Sequence, residues 1–243
     1  LAEGIEIGYH VNTSAFRDKE QVIRRLDLRR DKQIRHVIFD FDGTIVDSMA
    51  VAIQLINQLA HKYNLKPMTN EDLDKLRQLP ILERFRAANI SPYQIPRLGL
   101  EFTRNYTKSL GHIQVFADMR EVILKLKEQG RVLSIISSNS NHNIRKFLVD
   151  NDLNVFDHIY CAKNIFGKEK TIGNFIRKLN LRPPELVYVG DEVRDIAACQ
   201  ANNIRVIAVT WGFDIKEMLE RAHPDYIAQK PADILDIVLG MKE

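Results

Sequence analysis

Hydrophobic and polar positions in this chain follow two different periods. Between about Met49 and Gln114 apolar residues recur at helical spacing, as in Val51, Leu55, Leu59 and Tyr63. Pro67, Pro80, Pro92 and Pro96 break that stretch into several helices. From Val115 onward, short apolar runs alternate with amphipathic segments. Residues 132–136, 186–189 and 205–209 are continuous apolar runs, and 158–161 is a weaker one. Between them, 143–149 and 171–179 read as helices, the second with Ile172, Phe175, Ile176 and Leu179 on one face. One more apolar strand and a glycine turn occupy 36–47. Strands without polar alternation are buried on both faces, as in a parallel sheet covered by helices. The expected fold is therefore α/β, a doubly wound and mostly parallel sheet. The expected organisation is an N-terminal extension (1–35), a core formed by 36–48 and 115–243, and an inserted helical unit (49–114).

Ligands of such folds bind beyond the carboxyl ends of the strands. The first strand ends in Asp40-Phe41-Asp42-Gly43-Thr44 and the second in Ser137-Ser138-Asn139-Ser140. Gly167-Lys168-Glu169-Lys170 precedes a helix, and Gly190-Asp191-Glu192-Val193-Arg194-Asp195 follows another strand. Carboxylates are hard oxygen donors suited to Mg²⁺. Hydroxyls and helix-start N–H groups can hold phosphoryl oxygens, and a lysine offsets their charge. The set suits phosphoryl transfer, where positioning and charge stabilisation carry most of the catalysis. Singly, each corner has a plainer explanation: Asp-x-Asp-Gly is a common turn, Ser137 a helix cap, either lysine a solvated surface residue. Their order and setting favour the chemical reading.

Composition narrows the picture. The chain has 243 residues, 45% of them apolar and 28% charged, which is ordinary for a globular protein and excludes a disordered or fibrous one. The net charge is +3, yet residues 17–35 hold eight basic and four acidic side chains, so the remainder carries −1. The basic character belongs to the extension, and nucleic acid is not an expected partner. There is no run of about 18 apolar residues, so no membrane span is expected. The first ten residues lack a basic start and an apolar stretch and do not read as a signal peptide; a cytoplasmic setting is the expectation. Cys161 and Cys199 have no metal-pair spacing and read as buried thiols. Trp211 reads as a packing residue. Arg77, Arg84, Arg86 and Arg97 read first as a solvated helix face, with contact to an anionic substrate as the other reading.

The segment Asp40 to Thr44 resembles the first motif of the haloacid dehalogenase superfamily. Ser137, Lys168 and the run Gly190 to Asp195 resemble its second, third and fourth motifs, in that order. The run, with Val209-Thr210-Trp211-Gly212-Phe213 after it, is similar to the phosphoglycolate phosphatase-like branch. The resemblance implies a Mg²⁺-dependent phosphatase acting on a small phosphorylated metabolite such as phosphoglycolate. Asp40 would attack phosphorus and become an aspartyl phosphate, and Asp42 would act as acid and then base. Ser137 and Ser138 would hold phosphoryl oxygens and Lys168 would steady the nucleophile. Asp40, the backbone carbonyl of Asp42, and Asp191 would hold the metal, with Asp195 supporting from the same side. The 97 positions between Asp40 and Ser137 leave room for a helical cap over the site. One departure stands out. Relatives commonly show Gly-Lys-Pro at the third motif, and this loop is about two residues shorter, so the lysine is Lys168 by its preceding glycine or Lys170 by closeness to the helix. Two other functions fit the same residues: a sugar-phosphate phosphomutase and a non-catalytic scaffold. The N-terminal extension is expected to serve docking or dimerisation, with the cap as the other candidate dimer surface.

Overall fold

A computed structural model of the chain describes residues 34–63 and 65–240. Residues 1–33, and with them the docking or dimerisation expected of the extension, lie outside the described residues. The main sheet has six strands: β1 (His36–Phe39), β4 (Val132–Ser137), β5 (His158–Cys161), β6 (Leu186–Gly190), β7 (Arg205–Val209) and β8 (Tyr226–Ala228). Their spatial order is β5-β4-β1-β6-β7-β8, and every neighbouring pair is parallel. The expected doubly wound sheet is present, with β1 at the point where the order reverses.

Adjacent residues of a strand face opposite sides, so each strand feeds two cores. Val37, Phe39, Leu133, Ile135, Val187 and Val189 join one cluster. Ile38, Ile136, Leu186 and Tyr188 join the other, against helices α7 (Lys168–Lys178) and α8 (Val193–Ala201). The first cluster takes in α5 (Met119–Glu128), α6 (Asn141–Asp150) and α10 (Pro231–Gly240). A short helix α9 (Lys216–Arg221) adds Leu219 to the second. This two-sided burial is why the strands lack alternation. Trp211 packs edge-on against Phe116 at 6.3 Å. Cys199 is buried in the second cluster, and Cys161 is partly buried.

A small antiparallel pair, β2 (Val46–Asp47) with β3 (Gln114–Val115), was not apparent in the hydrophobic pattern because each strand is only two residues long. Between them run α1 (Met49–Tyr63), α2 (Asn70–Leu76), α3 (Ile81–Ala87) and α4 (Ile95–Ser109). The prolines fall at the breaks: Pro80 precedes α3 and Pro96 lies in the first turn of α4. Thr69 and Asp72 form a capping box at the start of α2. Helices α1 and α4 pack on each other, burying Val51, Leu55 and Tyr106.

Helix α7 begins three residues earlier than its apolar periodicity indicates. Without a proline, Lys168-Glu169-Lys170 is good helical sequence, and the helix extends back to Gly167.

Candidate active site

Strand β1 is flanked by β4 and β6, and its carboxyl end delivers Asp40 between theirs. The Asp40 amide still bonds to the Val189 carbonyl at 2.8 Å, so its backbone stays tied to the carboxyl end of the sheet. Beyond it the chain turns sharply: Gly43 has a φ of +75°, and its amide bonds to Val46 at 2.9 Å. Glycine suits that left-handed turn. It is needed for a second reason, because a Cβ there would come within 2.2 Å of an Asp191 oxygen.

Asp40 is buried and accepts from the Phe41 amide at 2.7 Å through Oδ1. Its Oδ2 receives the Lys168 ammonium at 2.5 Å, and the same ammonium contacts Asp195 Oδ1. Lys168, at the first position of α7, is 2% exposed, whereas Lys170 is exposed. Of the two lysines, Lys168 is therefore the one that reaches Asp40. Burial alone would lower its ammonium pKa, but the Asp195 and Asp40 carboxylates outweigh that and hold it above the ordinary value.

The Asp42 carboxylate is held from two sides. Tyr106 of α4 donates to Oδ1 and the Asn139 side-chain Nδ2 donates to Oδ2 at 2.8 Å. Burial pushes the Asp42 carboxyl up; the Tyr106 and Asn139 hydrogen bonds oppose this, and Asp40 adds repulsion. Ser137 is the last residue of β4 and its hydroxyl accepts from the Asn139 amide at 3.1 Å. Ser138 accepts from Arg194 at 3.0 Å. The cap of α6 is instead Ser140, bonded to the Asn143 amide at 3.2 Å.

Asp191 follows β6 and is 1% exposed. Thr44 donates to its Oδ1 at 2.9 Å and the Phe213 amide to its Oδ2 at 2.7 Å. Gly212 lies against it so closely that a Cβ would fall 2.2 Å from the Asp191 Cβ. Burial raises the Asp191 carboxyl well above its ordinary range, with repulsion from Glu192 and Asp40 adding to it.

Oxygens of Asp40, Glu192 and Asp195 lie within 4.8 Å of one another. Asp195 Oδ2 is buried with no hydrogen-bond partner among the described residues, and burial pushes its carboxyl up to about 7 against the pull of Lys168. Crowded hard oxygens, one of them unsatisfied, fit a divalent cation. Glu192 is a donor that the sequence reading passed over although it sits inside the fourth motif-like run. It also pairs with Arg194 and lies 3.6 Å from Arg84.

Two arginines of the helical stretch are neither a solvated face nor free for substrate. Arg84 is 7% exposed, pairs with Asp214 and stacks on Phe213 at 4.7 Å. Arg77 donates to the Phe213 and Gly212 carbonyls at 2.6 and 3.0 Å. Both grip the loop whose amide orients Asp191. Arg86 and Arg97 are exposed, as a solvated face requires. No pattern marks Tyr106 in the sequence or shows the loop-gripping role of Arg84, because their partners lie 64 and 130 positions away.

Similarities to known proteins agree with this geometry. The family model for haloacid dehalogenase-like hydrolases matches residues 37–209. A phosphoglycolate phosphatase from Synechococcus elongatus is 32% identical over 203 residues, covering 83% of this chain and 96% of that protein. Pyrophosphatase PpaX from Oceanobacillus iheyensis is 25% identical over 213 residues, 84% of this chain and 97% of its own. The crystal structure of a predicted phosphatase from Clostridium acetobutylicum shares the fold with a TM-score of 0.74 at 23% identity, covering 86% of this chain and 99% of its own. With Asp40, Lys168 and the carboxylates after β6 gathered at the end of β1, the chain belongs to the haloacid dehalogenase-like hydrolase family.

Proposed function

We propose that the protein is a Mg²⁺-dependent phosphatase of small phosphate monoesters, with phosphoglycolate as the first candidate substrate. The observation that carries the reading is the division of labour between two carboxylates. Asp40 sits against the Lys168 ammonium, while Asp42 is held by the neutral donors Tyr106 and Asn139 and its carboxyl is raised by burial. Paired carboxylates in different environments are suited to different roles.

In this reading an Asp40 oxygen attacks phosphorus, and the bond from phosphorus to the ester oxygen breaks. Asp42 gives its proton to the departing oxygen, leaving an aspartyl phosphate. Asp42, now a carboxylate, takes a proton from water as the water oxygen attacks phosphorus. The Asp40–phosphate bond breaks and inorganic phosphate leaves. Lys168 balances the charge of Asp40 and of the phosphoryl group, and Ser137 and Ser138 offer hydroxyls to phosphoryl oxygens. Asp40, the Asp42 carbonyl and Asp191 would hold Mg²⁺, and the oxygens of Glu192 and Asp195, which lie close to Asp40, would add further donors. The ion would supply charge neutralisation at the phosphoryl oxygens. Helices α1–α4 act as a cap, docked through Arg77 and Arg84, that excludes water and selects the leaving group.

Inorganic pyrophosphate is the second reading, favoured by the similarity to the pyrophosphatase. Phosphate release from phosphoglycolate, pyrophosphate and p-nitrophenyl phosphate, with and without Mg²⁺, separates the two. Asp40→Asn should abolish turnover of all three, and native-level activity in that variant would overturn the mechanism.

A further inference from the structure

We propose that Tyr106 is a positioning residue for the acid–base carboxylate Asp42, supplied by the helical insertion rather than by the core. The inference rests on the reading of Asp42 as acid and base. Tyr106 is 2% exposed, and its ring contacts Phe102 with centroids 5.9 Å apart. Its hydroxyl donates to Asp42 Oδ1 while Asn139 Nδ2 donates to Oδ2 at 2.8 Å.

These bonds belong to a closed ring of side chains. Asn139 Oδ1 accepts from Asn143 Nδ2 at 2.9 Å, and Asn143 Oδ1 accepts from Thr107 Oγ1 at 2.7 Å. Thr107 is the next residue after Tyr106 on α4, so the ring returns to the helix it left. Asn143 is fully buried, and its amide and carbonyl groups are both used. The Asn139 and Asn143 side-chain amides are thereby each oriented by a partner on both their oxygen and their nitrogen.

A carboxylate gripped on both oxygens, by Tyr106 and by Asn139, is held in one orientation. Without Tyr106 the Asp42 carboxylate keeps Asn139 on Oδ2 and the nearby Ser48 hydroxyl, loses its buried phenol donor on Oδ1, and is freer to leave the line to the ester oxygen. Displacement of a reacting group by about 1 Å can cost roughly 100-fold in rate. The loss should grow with the basicity of the leaving group, because a poorly leaving oxygen needs the proton most.

The test is a series of substituted aryl phosphates running from p-nitrophenyl to phenyl phosphate, with kcat/KM measured for the native enzyme and Tyr106→Phe. The variant should show a steeper dependence on leaving-group basicity, its loss reaching about tenfold or more for phenyl phosphate. Asn139→Ala, which removes the other donor, should steepen the same plot. A uniform loss across the series, or no loss, would overturn the positioning role. Asp42→Asn separates the two ideas. If its slope equals the native one, the acid role of Asp42 fails; if its slope is steep and that of Tyr106→Phe is native, only the role of Tyr106 fails.

Discussion

Replacing Lys168 with methionine removes one ammonium and keeps most of the side chain's bulk. That ammonium contacts Asp40 at 2.5 Å and also Asp195, with side-chain exposures of 3% for lysine, 3% for Asp40 and 0% for Asp195. At an effective dielectric constant of about 20, the 2.5 Å contact has a Coulomb energy of about 7 kcal/mol. Desolvation of the partners offsets most of that, so the native pairing has a small net value. The variant instead leaves two buried carboxylates without their shared cation, which costs about 3–5 kcal/mol. Urea unfolding reads the loss directly. With a slope of about 2–3 kcal/mol per molar, the midpoint should fall by about 1–2.5 M. Lys170→Met is the control, since Lys170 is exposed; it should stay within about 0.5 kcal/mol of native. Turnover should drop by about 100-fold or more in the Lys168 variant and hold in the control. A Lys168→Met protein within about 1 kcal/mol of native stability would refute the reasoning, because the two carboxylates would then not depend on the lysine.

Acid should destabilise the protein through His36. Burial, with repulsion from His158, lowers its pKa from 6.5 to about 4, while its Nε2 pairs with Ser134 Oγ at 2.7 Å. The unfolded chain gains a proton below pH 6.5 that the native site refuses, so this contribution is complete above pH 6.5 and is lost as pH falls toward 4. The loss should reach about 3 kcal/mol in urea unfolding, and His36→Gln should flatten the profile; matching slopes would count against it. Gly212→Ala should push Asp191 aside, since the new Cβ would lie 2.2 Å from the Asp191 Cβ. Activity should fall by about 100-fold while circular dichroism stays native, and an active variant would contradict the close fit. Arg84→Met should lose about 3 kcal/mol in urea unfolding, because Asp214 and Glu192 lose a buried partner, while Arg86→Met should change little.

The helix α7 and the residues around Asp42 show where sequence reasoning reaches its limit. Apolar periodicity located α7 by Ile172 and Phe175, which face the core, but polar residues at a helix start carry no periodic signal. Its true start at Lys168 decides which lysine meets Asp40. The fourth motif-like run was visible as text, yet the place of Glu192 beside Asp40 and Asp195 depends on how the turn into α8 is folded. Tyr106 carried no signal, and Arg84 read as a solvated face or substrate contact, until folding brought them to Asp42 and Asp214.

The sequence by itself determined the parallel α/β fold, because continuous apolar strands can be satisfied only between two helical layers. It also placed Asp40, Ser137 and Asp191 at or just beyond strand ends, since those positions are local features of strand and turn, and left the lysine as Lys168 or Lys170 near a helix start. The tertiary structure alone decided which polar groups meet. Hydrogen bonds and ion pairs act over a few ångströms, and their partners here can be far apart in the chain, 147 positions between Thr44 and Asp191 and 167 between Thr44 and Trp211. Contacts of that kind are set by the packing of whole elements, and no local pattern in the chain encodes them.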